Sequence, residues 1–318
     1  MAAEAGRIRR LAGLHALSRP PARTVVTVGV FDGVHKAHQQ LIRTTTRLAR
    51  RLNAASVVIT FDPDPQRVLD PAHAQPALMP LEARLVHLRE LGVDRVWVIP
   101  FTRRFSRTTA SQFIRGVLIR RLHALALVVG ERFVFGRNRQ GDMEVLRALG
   151  PSLGMKIVPV RHMRLAGAPI SSSRIRRLIG SGQLAMARRL LGRAPSLYGV
   201  VVRGAGRGRR LGFPTANIQL DSDAVPPRGV YAVMVRSLHH QRAWRGVMNL
   251  GVRPTFGPGP LVCEVHVLRF YGTLLGRAVS VSLLARLRSE RCFSSPEALT
   301  RQVRQDLVRA RRFFARPA

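Results

Sequence analysis

Two stretches bring glycines, hydroxyls and imidazoles together in spacings that suit phosphate chemistry: Gly29 to His38 (GVFDGVHKAH) and Gly204 to Asn217 (GAGRGRRLGFPTAN). In the first, Gly29 and Gly33 allow a close turn around Phe31 and Asp32, and His35 and His38 follow at i and i+3. Imidazoles so placed can hydrogen-bond the charge that develops on phosphate oxygens when a nucleophile attacks the α-phosphate of ATP. In the second, Gly204, Gly206 and Gly212 supply a flexible cradle for phosphates and Arg207 adds positive charge. After Phe213 and Pro214, Thr215 and Asn217 stand two apart, which on a strand puts both oxygens on one face. That pair suits Mg²⁺ that also keeps waters and phosphate oxygens. Phosphoryl transfer to an alcohol also needs a base, because an alkanol holds its proton at neutral pH. Glu264, in VCEVHVLRF, is the candidate; strand alternation sets it opposite Cys263 and Val265.

Two further strings carry anion-binding groups. Val128 to Asp142 (VVGERFVFGRNRQGD) holds Asn138, Arg139 and Asp142 among glycines, and Ile170 to Arg176 (ISSSRIR) sets Ser172 and Arg176 at a helix start. Each piece alone has a plainer explanation. Two histidines at a helix start can face water, glycine-rich loops are common, a serine-rich helix start is usually a cap, and a glutamate on a barrel strand can point to solvent. Only the whole strings are specific to phosphate chemistry.

These residues need elements to hold them. From Thr24 the chain alternates β-branched runs (TVVTVGVF, SVVITF, VWVIPF, LALVVG, KIVPV) with amphipathic stretches at 38–52, 81–91, 109–122 and 142–149. That alternation predicts a parallel sheet covered by helices, a Rossmann-like α/β layout. The first string then falls where a strand gives way to a helix, beside amide groups and the positive end of the helix dipole. Helices are expected at 172–179 and 183–191, with GRAPS (192–196) as a linker. Beyond Leu197 the runs LYGVVVRG, GVYAVMVRS, RAWRGVMNLG, VCEVHVLRF and AVSVSLLARL follow one another across Gly/Pro turns, which predicts a small antiparallel β-barrel. A last helix begins at Pro296 with Ser295 as N-cap. Two domains are expected, 1–191 and 192–318.

Composition narrows the classes. With 318 residues, 46% of them hydrophobic, there is enough chain for two cores. No apolar run approaches the roughly 20 residues of a membrane span. Cys263 and Cys292 lack metal-ligand or disulfide-framework spacing, which fits a reducing cytoplasm. The net charge of +36 invites a nucleic-acid partner, yet the excess is spread over both halves and is almost all arginine, Lys36 and Lys156 being the only lysines. Incidental binding is expected and a dedicated nucleic-acid partner is not.

From about Arg7 to Phe314 the chain resembles the bifunctional prokaryotic riboflavin kinase/FAD synthetase family. The strings that carry the resemblance are RIRRLAGLHAL, GVFDGVH, TFDPDP, VVGERFVFGRNRQGD, ISSSRIR, GRGRRLGFPTAN, NLGVRPTF, CEVHVL and RSERCFSSPEAL. It implies an N-terminal module that adenylylates FMN to FAD and a C-terminal barrel that phosphorylates riboflavin, with ATP as co-substrate of both and Mg²⁺ required. By the same resemblance His35 and His38 would stabilise the ATP phosphates with Ser172 and Arg176 assisting, and Asn138 to Asp142 would lie in the same site. Gly204 to Gly212 would cover phosphates, Thr215 and Asn217 would hold Mg²⁺, Glu264 would deprotonate the ribityl hydroxyl, and Asp64, Arg288 and Glu290 would lie on the flavin side. Four positions depart from the family's pattern: Ala37 replaces glycine in H-x-G-H, Asp64 the histidine of P-H-P, Arg132 an aspartate, and Arg269 the aspartate of Leu-Asp-Phe. Three of them fall in the first module, which leaves open a kinase whose adenylylation module is degenerate.

Overall fold

The computed structural model describes residues 9–12, 22–204, 206, 208, 211–238, 242–252 and 261–315. Chain contacts divide it into two compact units, 1–75 with 84–171, and 76–83 with 172–318.

The first unit is a six-stranded sheet in the order β1-β4-β3-β2-β5-β6. Its strands are β1 (Arg9–Ala12), β2 (Thr24–Val28), β3 (Ala55–Asp62), β4 (Arg95–Pro100), β5 (Ala124–Gly130) and β6 (Lys156–Val160). Every pairing is parallel. The helices are α1 (Lys36–Arg51), α2 (Pro65–Leu69), α3 (Leu81–Glu90), α4 (Ala110–Gln112), which runs on as a π-helix over Phe113–Arg121, and α5 (Met143–Ser152). Strand β2 is buried along its whole length because both faces of the sheet are covered. Val26, Ile59, Trp97 and Leu127 pack with Ile114, Leu118 and Leu146 on one side, and Val25, Ala126 and Val128 meet Ala49 on the other. From β2 the chain builds outward through β3 and β4, then returns to add β5 on the other flank. The carboxyl ends of β2 and β5 therefore frame the crevice where open α/β sheets bind ligands.

In the second unit, α6 (Ser172–Gly180) and α7 (Leu184–Leu191) precede a closed barrel. The short hairpin β7 (Arg164–Leu165) and β8 (Ala168–Pro169) lies before them. The barrel strands are β9 (Ser196–Val202), β10 (Ala216–Leu220), β11 (Gly229–Ser237), β12 (Ala243–Val252), β13 (Leu261–Val267) and β14 (Ala278–Ser289). All pairings are antiparallel, and β9 closes the ring by pairing with both β10 and β14. Tyr231, Val233, Met248, Leu250, Cys263, Val265 and Val281 fill the interior, and Leu184 of α7 joins them. Outside, α8 (Pro296–Ala315) lays Leu307 and Ala310 over Val230 and Val247. Ser295 caps α8 as expected, its hydroxyl accepting the Ala298 N–H at 3.2 Å.

Candidate active sites

In the first unit the phosphate-type string is a strand end bent back on itself. Gly29 N–H still reaches Ile59 O at 3.1 Å, continuing the ladder past β2, and the chain then turns. Phe31, Gly33 and Val34 all adopt left-handed backbones (φ +53°, +81°, +38°), a conformation that only the glycine takes without strain. Val34 N–H to Phe31 O (3.1 Å) and Gln39 Nε2 to Val34 O (2.9 Å) close the turn. Beneath it the Thr60 hydroxyl donates to Val30 O at 3.0 Å, and the buried Arg84 guanidinium donates to Thr60 Oγ1 at 3.0 Å and to Phe61 O at 3.3 Å. Phe31, Asp32 and His35 are buried in this turn.

His35 is the N-cap of α1, and its Nδ1 accepts the His38 N–H at 3.3 Å. The two rings stack with centroids 3.5 Å apart, and His38 meets the Phe31 ring edge-on at 5.2 Å. A neutral imidazole that accepts at Nδ1 carries its proton on Nε2, so His35 is a fixed donor beside the first amides of a helix. Ala37 lies in that first turn of α1.

The string after β5 occupies the other side of the crevice. Phe135 bridges to Gly141, and Arg137 N–H donates to Thr108 O at 2.8 Å. A Cβ on Gly136 would come within 2.8 Å of the Ala110 backbone nitrogen, so that approach requires glycine. Asn138 and Arg139 form the exposed tip with left-handed backbones, and Arg132 is exposed as well. Asp142 caps α5 by accepting the Glu144 and Val145 N–H groups at 2.9 and 3.0 Å, so its carboxylate holds the loop's exit. Asp64 does the same for α2 through Gln66 N–H at 2.8 Å. Ser172 opens α6 and Arg176 donates from Nε to Pro76 O; both belong to the second unit.

In the barrel, strand register brings the second set together. Asn217 of β10 faces Glu264 of β13, and Glu264 faces Asn249 of β12. Directly opposed residues of antiparallel strands share a face, with Cβ atoms about 4.5–5.5 Å apart. These three side chains therefore form one polar row on the outer wall, with Cys263 and Val265 pointing into the core. The row continues through Val230 to Arg288. A Cβ on Gly204 would overlap the Asn217 amide, and one on Gly208 would lie 2.9 Å from Thr215 Oγ1, so the glycine loop closes directly over both oxygen donors. Gly206 and Gly212 have left-handed backbones, and Arg207 lies outside the described residues. Pro214 O is bonded to His266 Nδ1 at 2.8 Å, and Phe213 packs edge-on against the His266 ring at 6.3 Å. Burial pushes the Cys263 thiol up to about 12, and the neighbouring Glu264 charge adds to the effect.

Arg288 is engaged by the buried Asp306 of α8 through Nε at 2.9 Å and Nη2 at 2.8 Å. Glu290 accepts the Val252 N–H at 3.1 Å, which ties the end of β12 to the segment after β14.

Sequence reasoning passed over Asn249 and His266, because cross-strand register decides their neighbours. It also passed over a cavity of about 710 Å³ walled by Trp244, Phe270, Tyr271 and Leu274 with Arg242 and Arg277. The signal available for it was the aromatic pair in LRFYG. Gly276 N–H to Val201 O (2.8 Å) and Val201 N–H to Arg277 O (3.0 Å) join this β13–β14 connection to the end of β9, from which the glycine loop departs.

Comparison with known proteins also finds two parts in this order. The family model described as FAD synthetase matches residues 18–174, and that described as Riboflavin kinase matches 191–314. A protein of Escherichia coli (strain K12) named Bifunctional riboflavin kinase/FMN adenylyltransferase is 37% identical over 308 residues, covering 96% of this chain and 98% of that protein. Its namesake in Pseudomonas fluorescens is 36% identical over 95% of this chain and 97% of its own length. A solved chain named Macrolide-efflux Protein from Streptococcus pneumoniae superposes with a TM-score of 0.81 at 31% identity, covering 92% of this chain and 95% of that one. With both halves matched in order and nearly the whole length aligned, the chain belongs to the bifunctional riboflavin kinase/FAD synthetase family.

Proposed function

We propose that the barrel phosphorylates riboflavin to FMN with ATP, and that the parallel-sheet unit adenylylates FMN to FAD with ATP and releases pyrophosphate. The observation that carries this reading is the Asn217–Glu264 register pair lying under a glycine loop closed over Asn217 and Thr215.

For the kinase step, Glu264 takes the proton of the ribityl 5′-hydroxyl as its oxygen bonds to the γ-phosphorus, and the bond to the bridging oxygen breaks to release ADP. Thr215 and Asn217 offer neutral oxygens suited to Mg²⁺, whose charge, when it is bound, offsets that of the ATP phosphates. The open groove lined by Trp244, Phe270 and Tyr271 is large enough to take part of a nucleotide-class ligand. Arg288 and Glu290 bound the flavin side of the barrel.

The adenylylation step differs in what it needs. An FMN phosphate oxygen is already anionic at neutral pH, so its attack on the α-phosphorus of ATP calls for charge stabilisation and no base. His35, His38 and the first amides of α1 supply donors, Asn138 and Arg139 add polar and cationic groups from the other wall, and Asp64 stands on the flavin side. Burial of Phe31, Asp32 and His35 in the turn supports donors held in fixed positions, which is what electrostatic stabilisation requires.

We place both reactions in a reducing cytoplasm, supported by two cysteines that are free of disulfides. No described helix is long and apolar enough to cross a membrane. No dedicated nucleic-acid partner belongs to this reading.

The test is incubation of the full chain with riboflavin, ATP and Mg²⁺ followed by separation of the flavins. FMN followed by FAD is expected. Neither product from folded protein would overturn the proposal, and FMN without FAD would select a kinase with a degenerate first module.

A further inference from the structure

We propose that His266 is a positioning residue for phosphoryl transfer: it fixes the Pro214–Thr215 peptide so that the Thr215 hydroxyl stays in line with Asn217. The inference rests on the kinase reading of the barrel.

Pro214 O can only accept, so the 2.8 Å contact makes His266 Nδ1 the donor and puts the imidazole proton on that nitrogen. His266 lies two residues beyond Glu264 on β13, hence on the same outer face, and faces Val247 of β12. Val247 packs under α8 in the same cluster as Phe213, and Phe213 meets the imidazole edge-on. The ring is thus held from two sides while its Nδ1–H reaches the backbone one residue before Thr215.

Among the described residues, the hydrogen bonds along this stretch of backbone are few. Proline at 214 has no N–H to donate, and the regular pairing of β10 with β13 begins only at Ala216. The bond from Phe213 N–H to Gly208 O at 2.7 Å ties the segment to the glycine loop, and the Phe213 ring adds apolar packing on the barrel wall that does not fix the peptide's rotation. Among the described residues, the His266 bond is therefore the side-chain hydrogen bond that joins the ladder carrying the base to the peptide carrying the first oxygen donor. Sliding or rotation of that peptide would swing the Thr215 hydroxyl off the face shared with Asn217, while Asn217 would remain fixed by β10.

The split in kinetic parameters is the test. His266→Leu keeps bulk and loses the donor, whereas His266→Asn sets an amide N–H near the place of Nδ1–H. Loss of one positioning hydrogen bond predicts that Leu raises KM for ATP or lowers kcat/KM for ATP about tenfold, with KM for riboflavin changed less than twofold. Asn should recover most of that loss, and adenylylation of supplied FMN should be unaffected in both variants. Binding of ADP with Mg²⁺ and binding of riboflavin, each measured by calorimetry on the same samples, give a readout independent of turnover. Weakened ADP binding with intact riboflavin binding is expected for Leu.

Three results would overturn the proposal: kcat/KM for ATP within twofold of wild type in His266→Leu, equal damage to ATP and riboflavin parameters, or an Asn variant no better than Leu. If neither His266 variant phosphorylates riboflavin at all, the binding comparison still decides, because a general folding defect lowers both affinities together. Failure of the wild-type chain to make FMN would instead count against the kinase reading itself.

Discussion

At the scale of single residues, the two reactions should separate by mutation. Glu264→Gln should lower riboflavin phosphorylation by about 10²-fold or more, the order expected for loss of a general base, while supplied FMN is still converted to FAD. His38→Ala should do the reverse, lowering adenylylation by about 10²–10³-fold through lost charge stabilisation. Flavin separation reads both, and a kinase rate within a few fold in Glu264→Gln would remove Glu264 from the mechanism. Cys263 supports a different expectation. Its thiol is held near 12 in the folded barrel against an ordinary value near 9, so between those values the unfolded chain loses a proton that the native state keeps. Stability should be intact below about pH 9 and fall by up to about 1.4 kcal/mol per pH unit above it. Burial raises the Tyr231 hydroxyl as well, which acts in the same direction. Denaturant unfolding between pH 8 and 10.5 measures the slope, and Cys263→Ala should make it shallower; an unchanged slope would refute the assignment. Residue type and strand alternation were enough to choose Thr215, Asn217 and Glu264 as candidates, and the structure sets Asn217 opposite Glu264 in register while Thr215 falls just before its strand. Asn249 and His266 were not legible in the sequence, since what each side chain meets depends on which residue lies opposite on a strand far away in sequence.

At the scale of elements, the βα alternation and the run of barrel strands were readable because buried strands are continuously apolar and helices repeat at their own period. Three features escaped that reasoning. Arg9–Ala12 lies before Thr24, where the strand and helix alternation begins, yet forms a strand at the sheet's edge in register with Arg95 to Val98 of β4. The helix expected at 109–122 tightens its caps normally at Thr109 and then runs in π geometry from Phe113, a hydrogen-bond shift that hydrophobic periodicity does not report. The helices α6 and α7 associate with the barrel through Leu184, and amphipathicity gives a helix a buried face without naming the core that receives it. The tie between β14 and α8 gives a prediction at this level. Arg288 and Asp306 are nearly buried, with side chains 10% and 3% exposed, so Asp306→Ala leaves a cation without its partner and should cost about 3–5 kcal/mol. Chemical denaturation measures this, and a loss below about 1 kcal/mol would mean that the guanidinium finds water instead. A raised KM for riboflavin should accompany it, because the same strand leads into Glu290 and its hold on Val252.

At the scale of the whole molecule, the charge of +36 should act on association and leave the chemistry alone. Binding to RNA should be weak at physiological salt and fall steeply and linearly with the logarithm of salt concentration, while flavin turnover continues in high salt. Tight binding that persists in high salt would contradict this. The closed ring of the barrel carries a last consequence, for synthesis on the ribosome. Strand β9 needs two neighbours, β10, which follows it directly, and β14, which is made last of the six. Until β14 emerges, one edge of β9 offers its backbone groups to any strand that comes along. A transcript cut short before Ala278 would therefore yield a barrel fragment with an open seam, and the cell should meet that product as an aggregate rather than as a slower enzyme.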